Sequence, residues 1–437
     1  MQFNSLTYLI FLPFAFGLYW LTRSSKGQNV VLVAASMVFY GWWSTEFLML
    51  MMATCVITYA LSLYDEKWAR TTAIILVFSV LGVFKYYDFF AENLQAALNG
   101  LGLAADLPTL RLVLPVGISF YTFQLAAYIL DRRRDSFLDF ITFITFFPQL
   151  VAGPIERAKD MVPQFTKRRV FDFALARDGM RLILWGLMKK MLIADNCATQ
   201  VDYIFSNYAT VSTPTLWLGA LYFTFQIYGD FSGYSDIAIG SARLFGIKLS
   251  TNFRTPYFSK DIREFWGRWH ITLMTWLRDY VYIPLGGNRR GRVRQNLNRL
   301  VVFSLSGLWH GANWTFIVWG VYHALWFLIP HRGLTFVIVA LGWVIFRSPD
   351  LGTATAYFSG MFDFTNFGGL ACSLMPVLLI ALLVATEFFM RGKEHPFQWK
   401  DSGVMRLQTV RMTVYLILFV GTLWLCGADT QFIYFQF

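Results

Sequence analysis

Charged residues are scarce in this chain. They make up 14% of its 437 residues, against about 25% in soluble domains, while hydrophobic residues reach 56%. The mean hydropathy is +0.48. A soluble fold of this length could not cover its surface with so little polar material, which excludes a water-soluble globular protein. At about 20 residues per helical span, we expect an all-α polytopic membrane protein with about ten to twelve spans plus re-entrant or interfacial helices.

Cysteine and the common catalytic motifs are also lacking. The four cysteines are scattered and form no CxxC pair, so we expect no disulfide framework and no metal site. The GxxxxGK[ST], GxGxxG, HExxH and GxSxG motifs are absent, as is the His-x4-Asp pattern of soluble-face acyltransferases. These absences argue against P-loop nucleotide, zinc-protease and serine-elbow chemistry. No module for RNA or DNA interrupts the chain, and no nucleic-acid partner is expected.

Carboxylates within the apolar segments are few, which argues against an ion-coupled transporter. The main ones are Asp230, Asp236 and Glu387. Because glycine and serine surround Asp230 and Asp236, we interpret these two residues as capping groups at the end of a broken helix.

Apolar runs predict the spans. Clear runs cover residues 6–22, 29–43, 45–63, 72–90, 110–130, 216–229, 300–330, 334–346, 370–390 and 412–427. Two further stretches are less regular. Residues 137–153 are short and end near prolines, which suits a re-entrant segment, and residues 178–194 carry three basic side chains, which suits an amphipathic helix.

Basic residues indicate the orientation. They cluster on alternate early loops, near residues 23–26, 67–70 and 132–134, while residues 43–45 and 91–110 carry none. Since basic loops stay in the cytoplasm, the N-terminus is expected outside. We treat residues 1–437 as one membrane domain, with N-terminal spans (1–110), a catalytic core (111–330) and C-terminal spans (331–437).

One stretch carries most of the positive charge. Residues 243–299 hold 12 of the 37 basic residues and three acidic ones, which is +9 of the net +11. Aromatic residues are interleaved there, and a helix through 262–283 would be amphipathic and interfacial. Two interpretations remain open: a surface resting on anionic lipid, or a cytoplasmic mouth that attracts a phosphate-bearing donor.

His310 is the best catalytic candidate. It lies inside residues 300–329, which carry no formal charge, beside the small residues Gly311 and Ala312 and near Asn313, which could orient the ring. The segment is either a helical hairpin or a broken helix. A desolvated, neutral imidazole can act as a general base, although structural hydrogen bonding is the alternative for any buried histidine.

The other histidines rank lower. His270, in the basic stretch, either assists His310 or bonds to backbone at the interface. His323 is expected to pack in the same helical unit as His310, while His331 and His395 are expected in loops.

Several ordered runs resemble the membrane-bound O-acyltransferase (MBOAT) family, in particular its bacterial branch that acetylates alginate and similar polymers. The similarity is dense over residues 117–323 and extends to the C-terminal run QFIYFQF (431–437). The runs are GISFYTFQ (117–124), FFPQLVAGPI (146–155), YGDFSGYSD (228–236), NFRTPY (252–257), FWGRWHITL (265–273), WLRDYVYIPLGGNR (276–289) and GLWHGANW (307–314). The chain departs from the family pattern at Gly267, where Arg is expected.

The resemblance implies a function and a site. His310 matches the family's near-invariant histidine and His270 its second one. Trp309, Asn313, Arg278 and Asp279 are candidate supporting residues in the same runs. A ring of helices around a central tunnel is implied, in the inner membrane of a bacterial cell.

The implied reaction moves an acetyl group from cytoplasmic acetyl-CoA outward, without a metal. A serine-bearing, SGNH-hydrolase-like partner would complete its transfer to an extracytoplasmic polysaccharide. The alternatives are D-alanyl transfer to teichoic acid and a non-catalytic carrier of an acyl group or polymer.

Overall fold

The computed structural model describes residues 1–151, 153–329, 332–398, 407–428 and 430–433. Throughout these residues the chain forms helices and connecting segments, with no β-strand. The all-α prediction is therefore confirmed. The chain divides into two compact units, and each is described by itself.

The first unit contains residues Met1–Phe171, Phe245–Leu249 and Gly311–Asn313. Longer helices come first along this part of the chain, and shorter helices follow them. A π-helical segment, Gly82–Tyr86, joins the fourth helix to the fifth. The helices are α1 (Leu6–Leu21), α2 (Ser25–Gly41), α3 (Thr45–Ser62), α4 (Lys67–Leu81), α5 (Tyr87–Gly100), α6 (Ile118–Leu130), α7 (Phe137–Thr145), α8 (Phe147–Leu150) and α9 (Ala158–Thr166).

The second unit contains residues Asp172–Leu244, Ser250–His310 and Trp314–Phe437. Its helices are α10 (Phe173–Met188), α11 (Asp195–Ser206), α12 (Thr213–Leu244), α13 (Ile262–Trp266), α14 (Ile271–Leu277), α15 (Gly291–His310), α16 (Trp314–Trp326), α17 (Thr335–Arg347), α18 (Leu351–Met361), α19 (Met375–Phe389) and α20 (Gln408–Leu425). The long α12 packs against α10, α11, α17 and α18 and forms the centre of this unit.

Large apolar side chains on the outer helices face away from the protein. Phe14 of α1 is 71% exposed, Phe389 of α19 is 83% exposed and Trp424 of α20 is 81% exposed. Contiguous apolar surface of this kind is unfavourable in water and favourable in lipid. Among the described residues, three helices are long and apolar enough to cross a membrane by length and composition: Thr45–Ser62, Lys67–Gly100 and Gln408–Leu425.

Four shorter helices are also apolar: Leu6–Leu21, Ile118–Leu130, Thr335–Arg347 and Met375–Phe389. Most predicted runs thus coincide with helices, but residues 110–117 precede α6 and are not helical. The expectation of ten to twelve crossings stays a prediction. Residues 137–153, predicted as a re-entrant segment, hold two short helices, α7 and α8; their re-entrant character stays a prediction.

The prediction of a broken helix around Asp230 and Asp236 is wrong. α12 runs without interruption through 32 residues, or about 48 Å at 1.5 Å per residue. Its small residues serve helix packing: a Cβ on Gly233 would collide with the backbone of Gly186 in α10. The glycine and serine pattern therefore marks a close helix–helix approach.

The prediction of one interfacial helix over residues 262–283 is also wrong. α13 ends at Trp266, and α14 begins only at Ile271. His270, between them, has φ 44° and ψ 50°, the left-handed conformation that interrupts a right-handed helix. Residues 278–282 then continue α14 as a π-helical segment.

Residues 291–326 form a helical hairpin, one of the two arrangements that the sequence left open. α15 and α16 pack along each other so closely that a Cβ on Gly307 would overlap the carbonyl of Phe316, and one on Gly320 would overlap the carbonyl of Phe303. Glycine is required at both positions because it alone has no side chain to exclude the facing backbone. The hairpin places His310 at the end of α15.

Candidate active site

His310 lies in an aromatic environment at the C-terminal end of α15. Only 5% of the residue is exposed. Its ring centroid is 5.0 Å from that of Trp309, 5.3 Å from Trp319 and 5.2 Å from Phe346. These apolar rings surround the imidazole and limit its contact with water. The carbonyl-rich end of the helix in turn stabilises the cation that forms when the ring takes up a proton.

Asn252 holds His270 from a neighbouring segment. The Asn252 Oδ1 atom lies 3.1 Å from Nδ1 of His270, and the same oxygen accepts hydrogen bonds from the backbone N–H and the hydroxyl of Thr272. Backbone hydrogen bonds join Ile271 N to Asn252 O and Arg254 N to Arg268 O. These contacts support the left-handed conformation of His270, which a non-glycine residue adopts only where its surroundings impose it.

The hydrogen bonds of Asn252 assign the tautomer of His270. A backbone N–H can only donate, so the Asn252 atom that faces Thr272 N is the amide oxygen. That oxygen carries no proton, and Nδ1 of His270 must therefore be the donor. In the neutral ring the lone pair is then on Nε2, which has no hydrogen-bond partner within the described part of the chain.

Trp309 lies close to both histidines. Its ring centroid is 5.7 Å from His270 and 5.0 Å from His310. The structure thus brings together His270, Trp309 and His310, three of the residues proposed from sequence. Both histidines contact the same indole from residues 40 positions apart in the chain.

The remaining proposed residues have other surroundings. Arg278 pairs with Asp279 at 2.6 Å, and the Arg278 side chain is 59% exposed. Asn313 is half-buried and belongs to the first compact unit. Supporting roles for these three residues stay predictions.

The other histidines follow their predicted positions where the structure describes them. His323 is fully buried on α16, with its ring 5.1 Å from Trp266 and 5.0 Å from Trp319. His395 lies in the loop after α19, where it is buried and 3.0 Å from Asp178. His331 lies outside the described residues. Within those residues no group of three or more histidine, cysteine or acidic side chains could hold a metal ion.

A cavity of about 660 Å³ lies within the second unit, close to His270. Its wall combines cationic, anionic and aromatic side chains, and most of its charges are already paired. Its charged lining residues are Lys189, Arg243, Arg254, Arg268, Lys393, Asp236, Glu264, Glu387 and Glu394. Three of the cations come from the basic stretch 243–299, and Lys189 and Lys393 come from elsewhere in the chain.

Two cations of this cavity lack a counter-ion. Lys189 pairs with Asp236 at 2.7 Å, Arg243 with Glu394 at 2.6 Å and Arg268 with Glu264 at 2.6 Å. Arg254 and Lys393 are exposed, and neither forms an ion pair with any residue that the structure describes. They are the charges that remain available to an anionic ligand.

Glu264 is ionised at neutral pH. The Lys260 backbone N–H donates to its carboxylate at 2.9 Å and Arg268 lies beside it, and these contacts hold the pKa of Glu264 below its usual range. Arg268 is therefore neutralised by a permanent charge, which distinguishes it from Arg254 and Lys393.

Asp230 and Asp236 bind lysines and do not cap a helix end. Lys190 is completely buried between Asp195 and Asp230, at 2.8 Å from each, and Lys189 binds Asp236. Both lysines lie in a π-helical continuation of α10, Lys189–Ala194. Two adjacent lysines in an otherwise apolar run were the sequence signal for such partners, but their pairing depends on how α10 packs against α12.

Asn252 is the site residue that sequence reasoning missed. It is part of the NFRTPY run, and it is completely buried. A short polar side chain in a loop signals a turn as readily as a ligand for a histidine, so its role emerges only from the packing of residues 252–254 against 268–272.

Comparisons with known proteins identify the family. The family model of MBOAT, the membrane-bound O-acyltransferase family, matches residues 32–340. A probable alginate O-acetylase AlgI of Pseudomonas putida is 37% identical, with the whole of both chains aligned. A peptidoglycan O-acetyltransferase of Helicobacter pylori is 32% identical over 98% of this chain and 95% of its own.

A teichoic acid D-alanyltransferase of Bacillus subtilis is 31% identical over 50% of this chain and 59% of its own. The fold and the apolar exterior define an all-helical membrane protein. The chain belongs to the membrane-bound O-acyltransferase family, and the protein is an acyltransferase.

We expect Lys190→Met to destabilise the protein strongly. The substitution leaves Asp195 and Asp230 buried without a cation, and removal of one partner from a buried ion pair typically costs about 3–5 kcal/mol. Thermal or denaturant unfolding of the detergent-solubilised protein measures the loss.

Arg134→Met is the matched control, because Arg134 pairs with Asp65 where the side chains are 47% and 83% exposed. Exposed pairs contribute about 0–1 kcal/mol. Equal stability losses in the two variants would contradict a structural role for the Lys190 cluster.

Proposed function

We propose that the protein transfers an acetyl group from cytoplasmic acetyl-CoA for the O-acetylation of an extracytoplasmic polysaccharide. The observation that carries the proposal is the pair of buried histidines that share Trp309 as a neighbour, together with a nearby cavity that has two unpaired cations. Acyl transfer from a phosphate-bearing thioester to a hydroxyl requires a general base in a site with little water, and a site that binds the phosphates.

His310 acts as the general base in this mechanism. Its imidazole takes the proton of the incoming hydroxyl as the hydroxyl oxygen attacks the thioester carbonyl. The carbon–sulfur bond then breaks, and His310 returns the proton to the departing thiolate, so that ester and thiol are the products. The aromatic rings around His310 limit competing hydrolysis by excluding water.

His270, which also lies beside Trp309, supports the same centre. Its Nδ1 proton is committed to Asn252, so Nε2 can accept a hydrogen bond from substrate. Asn252 thus acts as a positioning residue, because it sets both the orientation of the ring and its tautomer.

The donor's phosphates bind at the cavity in this proposal. Arg254 and Lys393 supply charge that no carboxylate of the described chain neutralises. Guanidinium and ammonium groups form strong hydrogen bonds to phosphate oxygens. We therefore assign the anion binding that the sequence suggested for the basic stretch to two side chains, Arg254 and Lys393.

The relatives support acetyl as the group and a polymer as the final acceptor. The relatives named for O-acetylation of alginate and peptidoglycan align with nearly the whole chain, whereas the teichoic acid D-alanyltransferase aligns with half. We infer that an SGNH-hydrolase-like partner with a serine nucleophile receives the acetyl group, and that residues 1–437 act as one acyltransferase domain.

We expect His310→Ala to lower acetyl transfer by about 10²–10⁴-fold, the usual contribution of a general base. The purified variant and wild type would be compared for thiol release from acetyl-CoA, and the acetyl content of the cell's polymer would be measured by mass spectrometry.

His323→Gln is the control, because it changes another buried histidine of the same hairpin. It should retain most activity. Wild-type turnover by well-folded His310→Ala would contradict the catalytic role. If purified wild type released no thiol but cells without the protein lost polymer acetylation, a carrier would be favoured instead.

We expect Arg254→Gln and Lys393→Gln each to raise the KM for acetyl-CoA by about three- to tenfold, because each removes a partly solvated phosphate contact. The kcat should change little, and the wild-type KM should rise with salt.

Lys260→Gln is the matched control, since Lys260 is an exposed cation of the same basic stretch but does not line the cavity. An unchanged KM in both cavity variants would argue against phosphate binding there.

We propose that the protein lies in the bacterial inner membrane with its N-terminus outside, because the early basic clusters occur on alternate loops. A reporter active only outside the cytoplasm should therefore be active when fused to residue 1 and inactive when fused near residue 67. The opposite pattern would reverse the orientation.

A further inference from the structure

Phe253 contacts both the cavity and His270. Phe253 is part of the cavity wall, whereas His270 is not. The Phe253 ring is stacked toward His270, with centroids 6.4 Å apart and an angle of 24° between the planes. One aromatic ring therefore stands between the open space and the first histidine.

Other aromatic residues hold this ring in place. Its centroid is 5.0 Å from Phe231 and 5.1 Å from Trp269, nearly perpendicular to both. Phe231 itself lies edge-on to His270 at 4.6 Å. Such edge-to-face contacts favour one ring orientation, so the end of the cavity has a defined shape.

The backbone around Phe253 cannot move aside easily. Asn252 accepts a backbone hydrogen bond from Ile271, and the Arg254 N–H donates to Arg268 O at 2.9 Å. Three consecutive residues thus have separate tasks: Asn252 holds His270, Phe253 closes the cavity, and Arg254 supplies an unpaired cation.

We propose that Phe253 is the specificity-determining residue that restricts the enzyme to short acyl groups. Resting on the proposed function, this inference adds that the acyl end of the donor meets the Phe253 ring on its way to the histidines. Among linear acyl groups, the two-carbon group requires the smallest displacement of this ring. Each further methylene must occupy volume that the ring fills, and a close-packed site does not yield that volume freely.

Phe253→Ala should therefore broaden acyl-chain selectivity. The measurement is kcat/KM for acetyl-, propionyl-, butyryl- and hexanoyl-CoA with purified protein, expressed as a ratio to acetyl. We expect the butyryl-to-acetyl ratio to rise at least about tenfold, since one methylene in an apolar pocket changes kcat/KM by roughly 10–200-fold. Phe253→Trp should shift the ratio in the opposite direction.

Phe258→Ala is the matched control. Phe258 is a nearby phenylalanine that packs on Phe388 and Arg391 and does not line the cavity. Its ratio should equal that of wild type. An unchanged ratio in Phe253→Ala, with acetyl turnover retained, would overturn the role of Phe253 and leave the proposed acetyl transfer intact. Absence of thiol release from every donor with wild type would overturn both.

A second measurement does not depend on turnover. Nε2 of His270 has no partner in the described chain, so diethyl pyrocarbonate should modify it once the ring is removed. Mass spectrometry of the modified peptide should show slow labelling in wild type and in Phe258→Ala, and at least about tenfold faster labelling in Phe253→Ala. Equal labelling rates in wild type and Phe253→Ala would show that the ring does not close the cavity.

Discussion

The buried Lys190 cluster illustrates the constraint on which the second unit depends. A charge withdrawn from water is stable only beside a partner, and the cost of leaving it unpaired is several kcal/mol. Lys190 satisfies this requirement with Asp195 and Asp230, at 2.8 Å from each. These contacts join the continuation of α10 to α12, the helix against which much of the unit packs.

The same requirement shapes the candidate active site. Asn252 has one amide oxygen, and that oxygen binds both Thr272 and His270. The strained backbone of His270 is maintained by these contacts, and the free Nε2 follows from the proton that Nδ1 must donate. The buried amide of Asn252 thereby fixes both the backbone conformation and the tautomer of His270. Patterns of charge and hydropathy in the sequence do not reveal such a link.

How much of this was predictable differs between features. The helical class and the positions of most apolar helices follow from apolar periodicity, whereas the charge-free run around His310 left a hairpin and a broken helix equally open. The histidines themselves were selected by motif resemblance and by the absence of nearby charge. Their common neighbour, Trp309, belonged to the same run and was named with them.

The failures share one physical origin. A helix through His270 and a break near Asp230 were both inferred from local composition, and tertiary contacts reversed both. Asn252 stabilises a left-handed residue inside an apparently amphipathic run, and Gly233 preserves a helix because it admits the backbone of Gly186. Local sequence patterns predict the structure that a segment would adopt in isolation. The structure of these segments is instead set by contacts with residues 18 and 47 positions away in the chain, Asn252 with His270 and Gly186 with Gly233.

The charge excess of residues 243–299 also depends on tertiary contacts. Of its 12 basic residues, only Arg243, Arg254 and Arg268 reach the cavity, and carboxylates neutralise two of these three. A high net charge therefore does not by itself identify an anion site, because most of it is distributed elsewhere or cancelled. A phosphate bound in the cavity would be attracted mainly by the cations that no described carboxylate neutralises. One of them, Lys393, lies outside the basic stretch altogether. The cavity can attract an anion because no carboxylate in the described part of the chain pairs with Arg254 or Lys393. This arrangement forms only when α12, the 250–268 segment and the loop after α19 pack together.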